Sequence, residues 1–143
     1  MVIRIIKKNL LVKTPQKREV DLSGCTSDES VFLAFAETLE FPEWFSNNWN
    51  SFHDCIQNLC FDVNGTLYII LRNCDVLIQN EVLHFEWLLD ECYEMACGNA
   101  TQDDGTSIDV VFELTFDETA RTEEALKKIT DRLPSVLSVC IDG

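Results

Sequence analysis

The sequence has few of the residues from which metal centres and catalytic sites are usually built. It contains two histidines, His53 and His84, and its seven cysteines include no Cys-x-x-Cys pair. Structural zinc sites need cysteine or histidine ligands clustered at short spacing, so no metal site is expected. The chain also lacks a glycine-rich phosphate loop and a nucleophile elbow, which are signatures of nucleotide binding and of serine hydrolases. No cofactor is expected either.

Basic residues are nearly absent from the central part of the chain. Residues 1–18 carry six lysines and arginines and no acid, whereas residues 19–120 carry 21 acids and a single base, Arg72. The net charge is −14. A body this acidic repels nucleic acid and anionic membranes, and it attracts a basic protein and speeds the encounter. The charge by itself is also open to the simpler interpretation that it serves solubility.

The first 12 residues do not have the pattern of a membrane anchor or a signal peptide. They are too short and too charged to span a membrane, and they lack the apolar core and the cleavage site of a signal peptide. An odd number of cysteines, several of them in apolar runs, is typical of reduced, mostly buried thiols in a cytosolic protein. We therefore expect a soluble, cytoplasmic protein with no membrane partner.

Predicted strands and helices alternate along the chain. The apolar patterns predict strands in residues 2–12 (one strand or a hairpin), 18–22, 67–71, 108–116 and 136–141. They predict helices in residues 27–40, 48–59, 81–96 and 118–133, with residues 73–80 as a connection and Gly98 at a helix end. A capping box is predicted at the start of the first helix, where Thr26 or Ser27 would begin the helix and Glu29 would bond back to it. The alternation favours one α/β domain, residues 1–143, with a mainly parallel sheet covered by helices.

The most informative segment lies between residues 39 and 59. Pro42 ends one helix, and Asn48 or Asn50 is suited to cap the next. Helical spacing then separates two stripes. The apolar stripe consists of Trp49, Phe52, Ile56 and Leu59, and we expect it to face the core. The polar stripe consists of Asn50, His53, Asp54 and Gln57, and we expect it to face outward.

These residues resemble the barstar family of ribonuclease inhibitors. The family's spacing is matched by Phe41-Pro42, Trp44-Phe45, Asn48-Trp49, Phe52 and Asp54-Cys55-Ile56. Three positions depart from it: Ser46 replaces a usual glycine, Asn50 a usual acid, and His53 a common aromatic. The resemblance covers about residues 18–116 and implies three core parallel strands packed by helices. Outside that range, residues 1–17 would add a strand or hairpin at one edge of the sheet, and residues 117–143 would add a helix–strand unit at the other edge. Alternatively, the basic N-terminus would fold onto the acidic body.

The resemblance also implies which residues contact a partner. In the family, the acid at the position of Asp54 enters the ribonuclease active site, where a carboxylate can replace a phosphate and make charge-assisted bonds. Trp44 stands at an aromatic contact position, and Glu91 falls, by a weaker match, at a peripheral acid. The simpler alternatives are a solvated Asp54, a core Trp44 and a solvated helix face at Glu91. The predicted partner-binding residues are Asp54, Asn50, His53, Trp44, Asn58 and Glu91.

Three functional hypotheses follow. The first is a bacterial, cytoplasmic immunity protein of a toxin–antitoxin type, a monomer that inhibits a basic ribonuclease toxin in a 1:1 complex. The alternative is a barstar-fold binding module that neutralises a basic partner other than a ribonuclease, which Asn50 and His53 keep open. The third is an enzyme that uses a cysteine with His53. No assembled acid, base and nucleophile supports this third hypothesis, so we expect no catalytic residues.

Overall fold

A five-stranded sheet lies at the centre of the computed structural model, which describes residues 1–59, 61–79 and 84–142. The strands, in chain order, are β1 (Val2–Lys7), β2 (Gln16–Asp21), β3 (Asn58–Leu59), β4 (Thr66–Arg72), β5 (Thr101–Gln102), β6 (Asp109–Thr115) and β7 (Leu137–Asp142). The sheet order is β2-β4-β6-β1-β7, and the short β3 and β5 pair separately. Strands β2, β4 and β6 run parallel. The predicted α/β fold with a mainly parallel sheet is therefore confirmed.

The position of the two terminal strands differs from the hypothesis of opposite edges. Strand β1 lies between β6 and β7 and is antiparallel to both. Ile3 and Ile5 of β1 are fully buried, so this strand has an interior place in the sheet. The predicted 2–12 segment forms one strand that ends at Lys7 and no hairpin. Both terminal strands therefore extend the same side of the parallel core.

The basic N-terminus pairs with acids of the neighbouring strands. The Arg4 guanidinium lies 3.2 Å from a Glu113 carboxylate oxygen and 2.9 Å from one of Asp142. Lys7 Nζ lies 3.7 Å from Asp109 Oδ1. The N-terminal segment thus folds onto the acidic body, as one of the alternatives proposed.

Helices cover the sheet and connect its strands. They are α1 (Asp28–Thr38), α2 (Trp49–Gln57), α3 (Asp75–Gln79), α4 (Phe85–Glu94) and α5 (Thr119–Asp131), and a π-helical turn (Met95–Asn99) continues α4. Helix α3 lies in the segment predicted as a connection. Residues 81–83 of the predicted 81–96 helix lie outside the described residues. Gly98 has a φ of 91°, a left-handed conformation that favours glycine and ends this helix as predicted.

The caps of α1 and α2 explain where these helices begin. Ser27 caps α1, with its Oγ accepting from the Ser30 backbone N–H at 3.2 Å and its own N–H donating to Ser30 Oγ at 3.0 Å. The prediction that Glu29 closes this capping box is wrong, because the helix begins one residue later and places Ser30 at the third position. Asn48 caps α2 as predicted, with Oδ1 accepting from Ser51 N–H at 2.8 Å.

The interior is apolar and contains most of the described thiols. Cys25, Cys55, Cys74 and Cys92 are buried, Cys97 is half-buried and Cys140 is exposed. Burial raises the pKa of the Cys25 thiol and that of Cys74, which keeps these groups protonated and unreactive. Within residues 1–59, 61–79 and 84–142, none of the helices has the length and apolar character needed to cross a bilayer.

Candidate partner-binding site

Helix α2 is fixed to the core by a cluster of aromatic rings. Phe52 is fully buried, and its ring centroid lies 5.3 Å from that of Phe32, 5.2 Å from Phe35, 5.9 Å from Phe41 and 5.4 Å from Trp49. Such distances are typical of favourable edge-to-face and tilted ring pairs. The inner face of α2 is therefore held by several rings at once, which orients the opposite face towards solvent.

The loop before α2 sends one of its two neighbouring aromatics inward and the other outward. The Phe45 ring packs 5.2 Å from that of Phe41, whereas Trp44 is 60% exposed. The Ser46 N–H donates to Ser51 Oγ at 2.9 Å, which ties the loop to the first turn of the helix. The alternative of a core position for Trp44 is wrong. Its predicted role as a partner contact stays a prediction.

The outward face of α2 carries the polar residues predicted for the site. Asn50 and Asp54 are exposed. In the described part of the chain, the Asp54 carboxylate has neither a hydrogen bond nor an ion pair. Asn58 lies at the end of the helix, where its Nδ2 donates to the Asp54 carbonyl at 2.9 Å and its Oδ1 accepts from Thr101 Oγ1 at 2.8 Å. Asn58 thus closes the helix end and leaves the Asp54 carboxylate open to solvent.

His53 joins α2 to α4 through two acids. Its Nδ1 lies 2.7 Å from Glu91 Oε2 and 3.4 Å from Glu94 Oε2. Burial lowers the pKa of His53, but the hydrogen bond and charge of Glu91, with the charges of Glu94 and Asp54, outweigh burial and raise it. Burial raises the pKa of Glu91, and the hydrogen bonds from His53 and Gln57 offset that effect only in part. The fold therefore brings together His53 and Glu91, which are far apart in the sequence.

Gln57 does not face solvent, contrary to the prediction from the polar stripe. It is only 8% exposed, and its Nε2 donates at 3.3 Å both to the Glu91 carbonyl and to Glu91 Oε2. Its Oε1 has no hydrogen-bond partner among the described residues. Helical spacing within α2 could not predict that Gln57 is buried, because it is α4 that covers this edge of α2.

Trp87, which stacks on His84 next to these residues, was not predicted as a site residue. Trp87 is 51% exposed, and its ring stacks on His84 at 4.3 Å and 17° and meets Trp49 edge-on at 5.7 Å. Trp49 was predicted as core, but it is only partly buried, and its Nε1 donates to Asp28 at 3.2 Å. His84 Nδ1 also bonds Asp28. The sequence contained one signal for this site, because Trp87 lies outside the apolar face of the helix predicted for residues 81–96.

Together these residues line an open groove between α2 and α4 of about 380 Å³. Its lining consists of Trp49, Asn50, His53, Trp87, Asp90, Glu91 and Glu94. Asp90 is partly neutralised by Arg132, whose guanidinium lies 2.9 Å away. Carboxylates beside exposed indole rings suit a cationic group, since both attract positive charge.

The predicted residues therefore occupy three adjacent places. Asn50, His53 and Glu91 line the groove. Asp54 lies further along α2 and Asn58 at its end, and Trp44 lies in the loop before the helix. All six belong to the segment around α2 and α4, and Glu91 reaches it through the packing of those helices. Their role in binding stays a prediction.

One family model matches the chain. It is described as Barstar (barnase inhibitor) and covers residues 16–113, more than half of the chain and close to the range expected from the sequence. The matched range contains α1, α2 and α4 and leaves β1, α5 and β7 outside. Comparisons with curated proteins and with solved structures give no match.

Proposed function

We propose that this chain, which belongs to the barstar family, inhibits a basic ribonuclease by inserting α2 and the preceding loop into its active site. The family is one of ribonuclease inhibitors, so a protein partner is expected from membership alone. The observation that supports the specific mode is the Asp54 carboxylate. It is exposed on a helix whose other face is fixed by aromatic packing, and it has no ion pair or hydrogen bond within the described residues.

Asp54 would take the place of a substrate phosphate. A ribonuclease active site presents arginine, lysine and histidine to the phosphodiester, and a carboxylate makes short, charge-assisted hydrogen bonds with the same groups. Because Asp54 gives up no hydrogen bond or ion pair with the residues that the structure describes, the main cost of burying its carboxylate is desolvation. Asn50 would offer a neutral hydrogen-bonding group beside it, and Trp44 an exposed aromatic of the kind enriched at interfaces.

The charge of the chain would act mainly on the speed of association. A net charge of −14 attracts a basic enzyme over several ångströms, and salt screens this attraction. The inhibitor would reach the enzyme faster at low ionic strength, while contacts at the centre of the interface would control dissociation. We propose a cytoplasmic immunity role, with one inhibitor bound to one ribonuclease toxin.

The experiment compares inhibition by the wild type, Asp54→Ala and Glu123→Ala. Glu123 is an exposed acid on α5, so its substitution controls for loss of one negative charge. RNA cleavage by a basic ribonuclease that the wild type binds is followed with a fluorogenic substrate. Removing one partner of a buried charge pair costs about 2–5 kcal/mol, a range drawn partly from complexes of this family. Asp54→Ala should therefore weaken inhibition by a factor between about 30 and several thousand.

Two results would count against this mode. If Asp54→Ala inhibits as well as Glu123→Ala, the carboxylate does not occupy the phosphate site. If the wild type binds the enzyme while cleavage continues, the second candidate gains support: a barstar-fold module that neutralises another basic protein. The engagement of His53 by Glu91 at 2.7 Å favours that candidate, since it restrains the ring from acting as the free aromatic that the family commonly places there.

A further inference from the structure

We propose that His53, Glu91 and Glu94 form a binding site for a divalent transition-metal ion such as Zn²⁺. The three side chains come from two helices, and all three line the groove. One ligand atom from each lies within 4.8 Å of the other two. His53 Nδ1 is 2.7 Å from Glu91 Oε2 and 3.4 Å from Glu94 Oε2.

One of these separations matches that of a tetrahedral site. Zinc binds nitrogen and carboxylate oxygen at about 2.0–2.2 Å, which places neighbouring ligand atoms about 3.3 Å apart in a tetrahedron. His53 and Glu94 already have this spacing. Glu91 and Glu94 stand three positions apart on α4, so their side chains leave the same face of the helix. Glu91 Oε2 lies closer to His53 Nδ1 than this spacing, at a hydrogen-bond distance of 2.7 Å, so these two groups would separate on binding the ion. Glu94 is exposed, and its side chain can adjust at the same time.

The buried amide of Gln57 is a second and independent observation. Its side chain is 8% exposed and contacts the Glu91 carboxylate at 3.3 Å, which is the arrangement of a residue that orients a metal ligand. Its Oε1 lacks a hydrogen-bond partner among the residues that the structure describes. A buried amide oxygen without a partner is costly, and it belongs to the same amide group that holds Glu91 through Nε2.

The ligand set selects the class of ion. An imidazole nitrogen favours zinc, cobalt, nickel or copper over magnesium and calcium, which prefer all-oxygen sites. Two carboxylates supply the charge that balances a dication. The three residues line an open groove, so water can complete the coordination. The site was not expected from the sequence, because its histidine and its acids lie 38 and 41 positions apart.

The test is isothermal titration of metal-free protein with zinc chloride, followed by titration with Co²⁺. We expect one ion per chain with a dissociation constant in the micromolar range. His53→Ala and Glu94→Gln should each weaken binding by at least about 10-fold, and Glu86→Gln should leave it unchanged. Glu86 is a matched control on the same helix, where it lies 3.6 Å from Lys128. Glu94→Gln alters an exposed group, so it keeps the test valid if His53→Ala affects folding.

Cobalt distinguishes this site from the cysteines. Ligation by nitrogen and oxygen gives weak visible bands, whereas thiolate ligation adds intense charge-transfer absorption in the near ultraviolet. A spectrum without thiolate bands, reduced by Glu94→Gln, supports the site. Three results would overturn it: no heat of binding, binding that survives both substitutions, or a thiolate spectrum. None of these results depends on ribonuclease inhibition, so the metal site and the proposed function can fail separately.

Discussion

Replacing Phe52 by alanine should destabilise the protein more than substitution of an exposed apolar residue nearby. Phe52 is fully buried on the inner face of α2, and rings from α1, from the loop and from α2 itself surround it. Its removal would leave a cavity at the point where α2 meets the core. The surrounding rings are large and cannot close such a space without moving the helix.

The size of the effect follows from burial and ring packing. Phenylalanine to alanine in a core costs about 3–5 kcal/mol. Ring pairs contribute about 0.5–1.5 kcal/mol each beyond the area buried, although not additively. Phe52 has such pairs at 5.2–5.9 Å, which places Phe52→Ala near the upper end, at about 4–5 kcal/mol. Phe52→Leu keeps most of the volume and should cost about 1–2 kcal/mol.

Urea unfolding followed by circular dichroism measures both losses. Leu33→Ala is the matched control, because Leu33 lies on α1 but is 52% exposed, and its free energy of unfolding should change by less than about 0.5 kcal/mol. The slope of the transition should stay constant if only the native state is affected. A loss below about 2 kcal/mol for Phe52→Ala would refute the argument that this ring fixes α2.

Three further predictions concern the cap of α2, the thiols and one surface carboxylate. Asn48→Ala removes the side-chain cap and should lower the free energy of unfolding by about 1 kcal/mol; an unchanged urea midpoint would contradict this. Among the described cysteines, exposed Cys140 should react first with iodoacetamide, as peptide mass spectrometry can show; equal labelling of buried thiols would contradict it. Hydrogen bonds from Ser23 and Asn73 hold the pKa of Asp21 below its usual value, so Asn73→Ala should raise that pKa in an NMR titration. The stability that these bonds provide is present above the unfolded pKa and is lost as the pH falls through the lowered folded value, so the stability difference between the wild type and Asn73→Ala should become smaller in acid. Part of the difference should persist, because residue 73 has a φ of 60°, which alanine adopts less readily than asparagine.

Several features could be predicted from the sequence because they depend on neighbouring residues. The cap at Asn48, the helix end at Gly98 and the apolar strand in β4 follow from local geometry and side-chain chemistry. The resemblance between residues 41 and 56 identified the family, since its motif is a continuous segment that folds into one loop and one helix. Exposure of Asp54 also followed from helical spacing alone.

Other features required the tertiary structure. The sequence could not place β1 between β6 and β7, because a short apolar strand fits an interior position as well as an edge. It also predicted Gln57 to be exposed and Trp49 to be core, since helical periodicity gives the direction of a side chain but not which neighbouring helix covers it. Packing of α4 against α2 reversed that prediction for Gln57.

What the sequence by itself determined is the local chemistry: an aromatic loop, a capped helix and an exposed Asp54 in a strongly acidic chain. What only the tertiary structure decided is the groove, in which His53 meets Glu91 and Glu94 beside Trp87. The physical reason is distance along the chain. Residues within one helix are positioned by its 3.6-residue repeat, whereas residues from two helices meet only where burial of their apolar faces fixes one helix against the other.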